Sequence, residues 1–351
     1  MTEPALAKRP STAGPAPMRL LMVTDAWHPQ VNGVVRTLDT VVSQLTRGGD
    51  TVEVIGPDRF RTFPLPSYPE IRLVLRPRRQ LARMVDDFRP DAVHIATEGP
   101  LGWAMRAICR NRAWPFTTSF HTRFPEYLQA RTGLPPGLAW AVMRRFHAAG
   151  SGVFAATASL QAGLSRRGFS NVRPWTRGVA LDKFQPGPRT AWEGLPRPVS
   201  LYVGRVAVEK NIEAFLKLDL PGSKVVVGDG PQRAQLQRRY PQVHFAGWRQ
   251  GEALAQAYAG ADVFVFPSVT DTFGLVLLEA MACGTPVAAF PVTGPLDVVA
   301  PGTGVLSHDL RLAVLAALDC DRLACRRHAE SFSWQTCTDA FRRQLTMLRT
   351  G

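Results

Sequence analysis

The sequence predicts an α/β protein built from two Rossmann-like domains in tandem, with parallel sheets facing an interdomain cleft. Three observations predict it. Short apolar runs ending in polar residues or glycine recur along the chain, the pattern of strands buried on both faces. Segments with helical period separate these runs, giving a β–α–β alternation. One Pro- and Gly-rich stretch without period, residues 178–200, divides the alternation into two series. A chain of 351 residues suits two domains.

Taken in order, the first seventeen residues, MTEPALAKRPSTAGPAP, are small and Pro-rich and are expected to be a disordered tail. They lack the apolar centre of a signal peptide. The first domain is expected over residues 18–177. It opens with RLLMVTD, a strand, followed by a Gly-containing loop and a helix. Val34, Leu38, Val41, Val42 and Leu45 form that helix's inward stripe, and Gly48-Gly49 ends it. TVEVIGP is the second strand, and LARMVDDFRPDAVHIAT reads as helix, turn, strand. PFTTSFHT, GVFAATA and NVRPWTRGV continue the series. After the linker at 178–200, a second domain is expected over residues 201–332. VSLYVGR, SKVVVGDGP, VHFAGW, DVFVFPS and PVAAFPV supply its strands, with helical segments between them. Residues 333–351 make a last helix, Trp334 to Leu348, expected to return to the first domain. Ligands of open α/β sheets bind outside the carboxyl ends of the strands, so the cleft is the expected site.

Composition narrows the function. The 45% hydrophobic and 20% charged residues describe a globular chain with real cores. No apolar run has the length of a spanning helix. The five cysteines are odd in number and lack C-x-x-C spacing, so neither a disulfide framework nor a zinc site is indicated. That points to a reduced, cytoplasmic protein. The net charge of +14 is lopsided: residues 1–177 hold 24 Lys+Arg against 12 Asp+Glu, and residues 178–351 hold 18 against 16. An anionic substrate or anionic membrane suits that excess, as does an Arg-rich composition with no partner behind it. No nucleic-acid-binding signature is present.

Four post-strand loops hold candidate residues. In PQVNGVV, Gly33 opens a helix where free N–H groups and the positive dipole end suit an anion. It serves equally as a plain βα turn. In VGRVAVEKN, Arg205 and Lys210 at a strand's carboxyl end either clamp a diphosphate or are solvated surface. VVVGDGPQ and HFAGW are turns in which Gly247 offers bare backbone to a nucleobase or simply turns the chain. The fourth loop opens PSVTDTFGLVLLEAMACGTPVAA, where Asp271 or Thr272 is placed to cap a helix ending at Gly284 and Pro286. The amides of Phe273, Gly274 and Leu275 are then available to phosphate. Eight helical positions put Asp271 about 12 Å from Glu279 along the axis. Two acids so spaced either hold the hydroxyls of one extended ligand, or serve as a cap and a core ion pair.

PSVTDTFGLVLLEAMACGTPVAA resembles the donor-binding signature of retaining GT-B glycosyltransferases of the GT4 family, Glu-x-Phe-Gly-x-x-x-x-Glu followed by Ala-x-x-x-Gly-x-Pro-Val. The GR and EKN pair, GDGP, FAGW and the first-loop NG stand in the family's order, from about Arg19 to FSWQTCTDAF. The resemblance implies that Gly33 approaches the donor diphosphate and that Arg205 and Lys210 neutralise it. It implies that Glu279 holds the ribose, and that Asp271 with the amides of Phe273, Gly274 and Leu275 meets the sugar and phosphate. His121, in SFHTRF, takes the place of a family histidine beside the transferred sugar; as a lone histidine after a strand it also has a structural reading. One departure stands out. The family's first Glu is Asp271 here, one methylene shorter, so donor-sugar preference does not transfer. That substitution and FHTRFPEY resemble a subgroup of sulfolipid, glycolipid and mannosyltransferase-like enzymes.

The implied activity is retaining transfer of a hexosyl group from a UDP- or GDP-sugar, by front-face attack, with neither a metal nor a cofactor. Arg205, Lys210 and the helix amides stabilise the leaving group. The segments RPRRQLARMVDDF and RTGLPPGLAWAVMRRFHAAG set Arg beside apolar residues, with Leu138, Ala141, Val142, Arg145 and Phe146 at helical spacing. Such a face suits anionic membrane. The expected acceptor is therefore a membrane lipid such as diacylglycerol, with the enzyme peripheral on the inner face of the cell membrane. A polysaccharide or other soluble acceptor is the alternative within this class. A non-catalytic nucleotide-binding scaffold is the alternative outside it.

Overall fold

A computed structural model describes residues 16–348, apart from 31, 66–67, 127–128, 130–132 and 134. Most of the expected tail, residues 1–15, lies outside the described residues. The first sheet contains β1 (Arg19–Val23) and β2 (Thr51–Ile55). Strands β3 (Thr62–Leu65) and β4 (Tyr68–Val74) form a separate antiparallel ribbon. The first sheet then continues with β5 (Ala92–Ile95), β6 (Thr117–Phe120), β7 (Gly152–Ala155) and β8 (Val172–Pro174). Its spatial order is β2-β1-β5-β6-β7-β8, parallel throughout. The second sheet is built from β9 (Val199–Val203), β10 (Ser223–Val227), β11 (His244–Gly247), β12 (Val263–Phe266), β13 (Val287–Ala289) and β14 (Gly304–Leu306). Its order is β11-β10-β9-β12-β13-β14, also parallel. The expected fold class is therefore the observed one.

Central strands such as β5, β7, β9 and β12 are buried at every residue, as parallel strands covered by helices must be. The helix Gly33–Arg47 shows how the covering forms. Asn32 Oδ1 accepts from the amides of Val34 and Val35 at 3.0 Å each, starting the helix. Its buried face is Val35, Thr37, Leu38, Val41 and Leu45, with the expected Val34 and Val42 partly buried against the core of the first sheet.

The expected 178–200 linker is irregular only as far as residue 198, since β9 begins at Val199, and it is anchored. Phe184 and Trp192 are buried in the second core, and Trp192 Nε1 donates to the Ala257 carbonyl at 2.9 Å. The last helix spans Trp334–Gln344 and stops short of the expected Leu348. There Leu345 turns extended, Met347 bridges Ala92, and the Leu348 amide donates to the Asp91 carbonyl. Cys337 and Phe341 of this helix pack with Leu20, Met22, Phe154 and Trp175 of the first sheet. Arg342 clamps Asp50 with two hydrogen bonds of 2.7 and 2.8 Å.

Two segments expected to mix Arg with apolar residues are now separable. In the helix Arg78–Phe88, Leu81 and Val85 are buried, so its apolar side belongs to the core. In Gly137–His147, Trp140, Met143 and Phe146 face inward. Phe146 is thus no part of an outward face, because the sheet's own core takes it. Leu138, Val142 and Arg145 remain exposed along one stripe.

Candidate active site

The carboxyl ends of both sheets meet at one interface. Gly33 lies against Leu275: a side chain at Gly33 would come 3.8 Å from Leu275 Cδ1. Thr272 Oγ1 donates to the His121 carbonyl at 2.8 Å. Arg36, one turn beyond Gly33, reaches Glu279 at 2.5 Å. Ser159 donates to Asp297 through both its amide, at 2.9 Å, and its hydroxyl, at 2.5 Å.

The signature helix spans Leu275–Ala282, and its N-cap is Gly274, at φ 84°, with no side-chain cap. Only glycine holds that conformation cheaply, and a Cβ there would also press on Leu277 at 3.0 Å. The expected capping role of Asp271 or Thr272 is therefore corrected. Residues 271–274 are not helical, so the axial spacing of Asp271 and Glu279 does not follow the helical rise. Asp271 instead pairs with Lys210, Oδ1 to Nζ 2.5 Å. Thr272 ties this loop to the other domain.

Lys210 closes a short 3-10 turn, Val208–Lys210, after β9. Asn211 follows in the left-handed region, and its side chain donates to the Pro267 carbonyl at 3.1 Å. The turn is thereby pinned to the end of β12. Arg205 leaves β9 just after Gly204, its carbonyl accepting from the Tyr202 hydroxyl at 2.8 Å. Gly247 closes β11 beside the Arg233 guanidinium, which a Cβ would approach to 3.4 Å.

Glu279 is only 3% exposed. Its Oε2 accepts from the Tyr258 hydroxyl at 3.0 Å while Oε1 holds Arg36. Glu279, expected to hold a ligand's ribose, here has one side-chain partner on each oxygen. Both oxygens are taken, one from the core and one from the opposite domain. Burial, and then the Glu279 charge, push the Tyr258 hydroxyl well above its usual range, so it stays a donor. The Glu279 charge in turn raises the Arg36 guanidinium.

His121 follows β6. Arg177 Nη2 donates to its Nδ1 at 3.2 Å. A guanidinium only donates, so Nδ1 is the acceptor and the neutral ring carries its proton on Nε2. Burial, and then the Arg177 charge, hold His121 well below the usual imidazole range, so it is neutral at pH 7. Arg177 is itself buried, donates to the carbonyls of Trp175 and Thr176, and lies 4.1 Å over the Trp175 ring. Burial lowers it to about 10, still charged. Among the described residues, three buried polar atoms beside these loops have no partner: His121 Nε2, Asp271 Oδ2 and Ser268 Oγ. An unsatisfied buried polar atom costs about 1–3 kcal/mol, so each of the three is open to a further partner, water or ligand.

Two other titratable groups nearby are structural. Asp25, after β1, accepts from the amides of Leu101 and Gly102 and from the Thr97 hydroxyl. Burial pushes its carboxyl up to about 6, but its bonds cap the helix Pro100–Asn111 from a distance. His94 bonds Thr117 and Ser119 inside the sheet, at 2.9 and 2.8 Å. Burial, with the Arg177 charge, lowers it to about 3. Its ordinary unfolded value is about 6.5. Between those values the unfolded chain binds a proton that the folded chain refuses. Stability is therefore complete above pH 6.5 and falls below it, by about 1.4 kcal/mol per pH unit from this residue. Denaturant titrations from pH 7.5 to 4.5 read it within a pH slope to which His121 adds and from which Asp25 subtracts. A His94→Asn variant should show a shallower one, and an equal slope would refute the assignment.

Arg36, Tyr258, Arg177 and Ser268 were not singled out from sequence, and Thr272 was singled out only as a helix cap. Arg36 carried a usable signal, a cation one helical turn beyond Gly33 and so on the same face. The others carried none, since each acts through a contact distant in the chain. No group of three or more His, Cys, Asp or Glu among the described residues is placed to hold a metal ion.

Residues 31–183 match Glycosyltransferase Family 4, and residues 197–320 match Glycosyl transferases group 1. A GDP-mannose-dependent alpha-mannosyltransferase of Mycobacterium tuberculosis is 32% identical over 92% of this chain and 94% of that one. An alpha-monoglucosyldiacylglycerol synthase of Streptococcus pneumoniae is 27% identical over 86% of this chain and 78% of its own length. The structure of a sucrose-phosphate synthase from Thermosynechococcus elongatus superposes with a TM-score of 0.76, at 23% identity, over 93% of this chain and 98% of that one. The last likeness bears on the fold, whose twin parallel sheets meet at their carboxyl ends. With the signature helix at that meeting point, this chain belongs to the family 4 glycosyltransferases and is a hexosyl-transferring enzyme of GT-B architecture.

Proposed function

We propose that this enzyme transfers a hexosyl group, with retention of anomeric configuration, from a nucleotide-diphosphate sugar to a lipid acceptor at an anionic membrane surface. The observation that carries the site is that His121 and Asp271, on loops joined by the Thr272–His121 hydrogen bond, each keep a buried polar atom, Nε2 and Oδ2, unpartnered among the described residues, with Lys210 bound to the same Asp271. His121 donates to a hydroxyl of the transferred sugar while Asp271 Oδ2 accepts from another. Lys210, Arg205 and the first-turn amides of the signature helix meet the diphosphate as charge develops on it. Gly33 faces that helix start and lets backbone come close. Gly247 receives the base, and Glu279 the ribose. The C–O bond to the diphosphate breaks as the acceptor oxygen attacks from the same face, and the acceptor's proton passes to the departing phosphate oxygen. The cationic side chains take the charge that a metal would otherwise take.

The lipid acceptor is supported by the exposed stripe Leu138, Val142 and Arg145, with Leu138 79% exposed, on the domain that holds the basic excess. The name of the streptococcal relative points the same way. No helix among the described residues is long and apolar enough to cross a membrane, so the proposed contact is peripheral. The test is a donor screen against membrane lipid extract and against soluble glycans, with products read by mass spectrometry and anomer by NMR. GDP-mannose comes first, because the mycobacterial relative is named for it. Product only on soluble glycans would overturn the lipid acceptor. The enzyme should also float with anionic liposomes at low salt and release at high salt. A Leu138→Glu, Val142→Glu double variant should float at least fivefold less. Equal flotation would remove this stripe from the contact.

A further inference from the structure

Glu279 cannot meet a ligand in the arrangement seen here. Its side chain is 3% exposed, Oε2 is bonded to Tyr258 and Oε1 to Arg36. The two partners differ in freedom. Tyr258 is fully buried in the second core, its ring against Phe184 and Phe264 at 6.0 and 5.6 Å, and cannot withdraw without opening that core. Arg36 is 43% exposed and comes from the other domain on the helix Gly33–Arg47. A hydroxyl that reaches Glu279 must therefore arrive where the guanidinium now sits.

Taking Glu279 as the ribose holder of the proposed function, we infer that Arg36 is a built-in competitor of the donor's ribose. The interdomain Arg36–Glu279 pair and nucleotide binding exclude one another. In the ligand-free enzyme the pair does two things. It keeps a buried carboxylate partnered, which a bare Glu279 would not be. It also latches the two domains together at the site's edge. The nucleotide then binds only the fraction of molecules whose latch is open, and its apparent affinity is reduced by that fraction. Removing the latch while leaving Glu279 in place should therefore tighten binding, the opposite of what loss of a ligand contact does.

The experiment is calorimetric titration of the full-length enzyme and its variants with GDP and UDP, and with their 2′,3′-dideoxy forms. Arg36→Gln and Arg36→Met should bind the better of the two ribonucleotides at least fivefold more tightly than wild type. Arg36→Lys, which keeps the charge and supports the fold if the neutral variants are unstable, should fall between. The gain should vanish with the dideoxy form, which has no hydroxyls to exchange for Arg36. Glu279→Ala should weaken ribonucleotide binding towards that of the dideoxy form. If Glu279→Ala weakens binding but no Arg36 variant tightens it, the latch is overturned and the ribose assignment stands. If Glu279→Ala leaves binding unchanged, the ribose assignment falls and the latch with it.

Discussion

Lys210→Ala should lower kcat/KM by about 10²–10³, with the larger part in kcat, while the folded structure persists. The size follows from the loss of one preorganised charge aimed at a developing anion, about 2.7–4 kcal/mol. Lys210 is well held for that task. Its turn is fastened to the end of β12 through Asn211, and Asp271 fixes its ammonium at 2.5 Å. Both side chains are largely shielded, 23% and 17% exposed, so solvent screens the pair weakly. Lys210→Arg should lose less, since it keeps the charge and changes only its reach. Steady-state kinetics with the donor found in the screen decide the matter. Turnover within threefold of wild type in Lys210→Ala would remove Lys210 from the reaction and leave it a structural partner of Asp271.

Phe341→Ala should destabilise the first domain by about 3–5 kcal/mol, the usual range for deleting a buried aromatic side chain. Phe341 is fully buried although it sits ten residues from the chain's end. Its ring lies 4.8 Å from both His94 and Trp175 and 5.6 Å from Phe154. The truncation opens a cavity lined by β5, β7 and the segment after β8. The thermal midpoint of the first domain's transition should fall by roughly 10 °C. A shift under about 2 °C would mean that the terminal helix is only an appendage.

Much of the fold was legible because its signals are local. A parallel strand buried on both faces is largely apolar, as VFVF is throughout and VSLYV is but for Ser200, and a helix covering it must carry a stripe. The errors came where local rules meet tertiary demands. Asp271 has the chemistry of an N-cap, but the helix starts at Leu275 because Gly274 takes the left-handed turn, leaving Asp271 to Lys210. The terminal helix ends at Gln344 because the chain beyond it bridges β5. Phe146 and Val142 both matched a helical face, yet one is buried and the other exposed, since the packing of neighbouring elements sets which side is inward.

By itself the sequence determined the two-sheet α/β architecture, the uneven placement of charge, and the residue types available at the strand ends. Each of these depends on composition or on spacings of a few residues. Only the tertiary structure decided who bonds with whom across the interface. Arg36 and Glu279 stand 243 residues apart, and Thr272 and His121 151 apart. No periodicity couples such positions; the meeting of two sheets' carboxyl ends does. The single proton on His121 is likewise decided by Arg177, whose guanidinium can only donate.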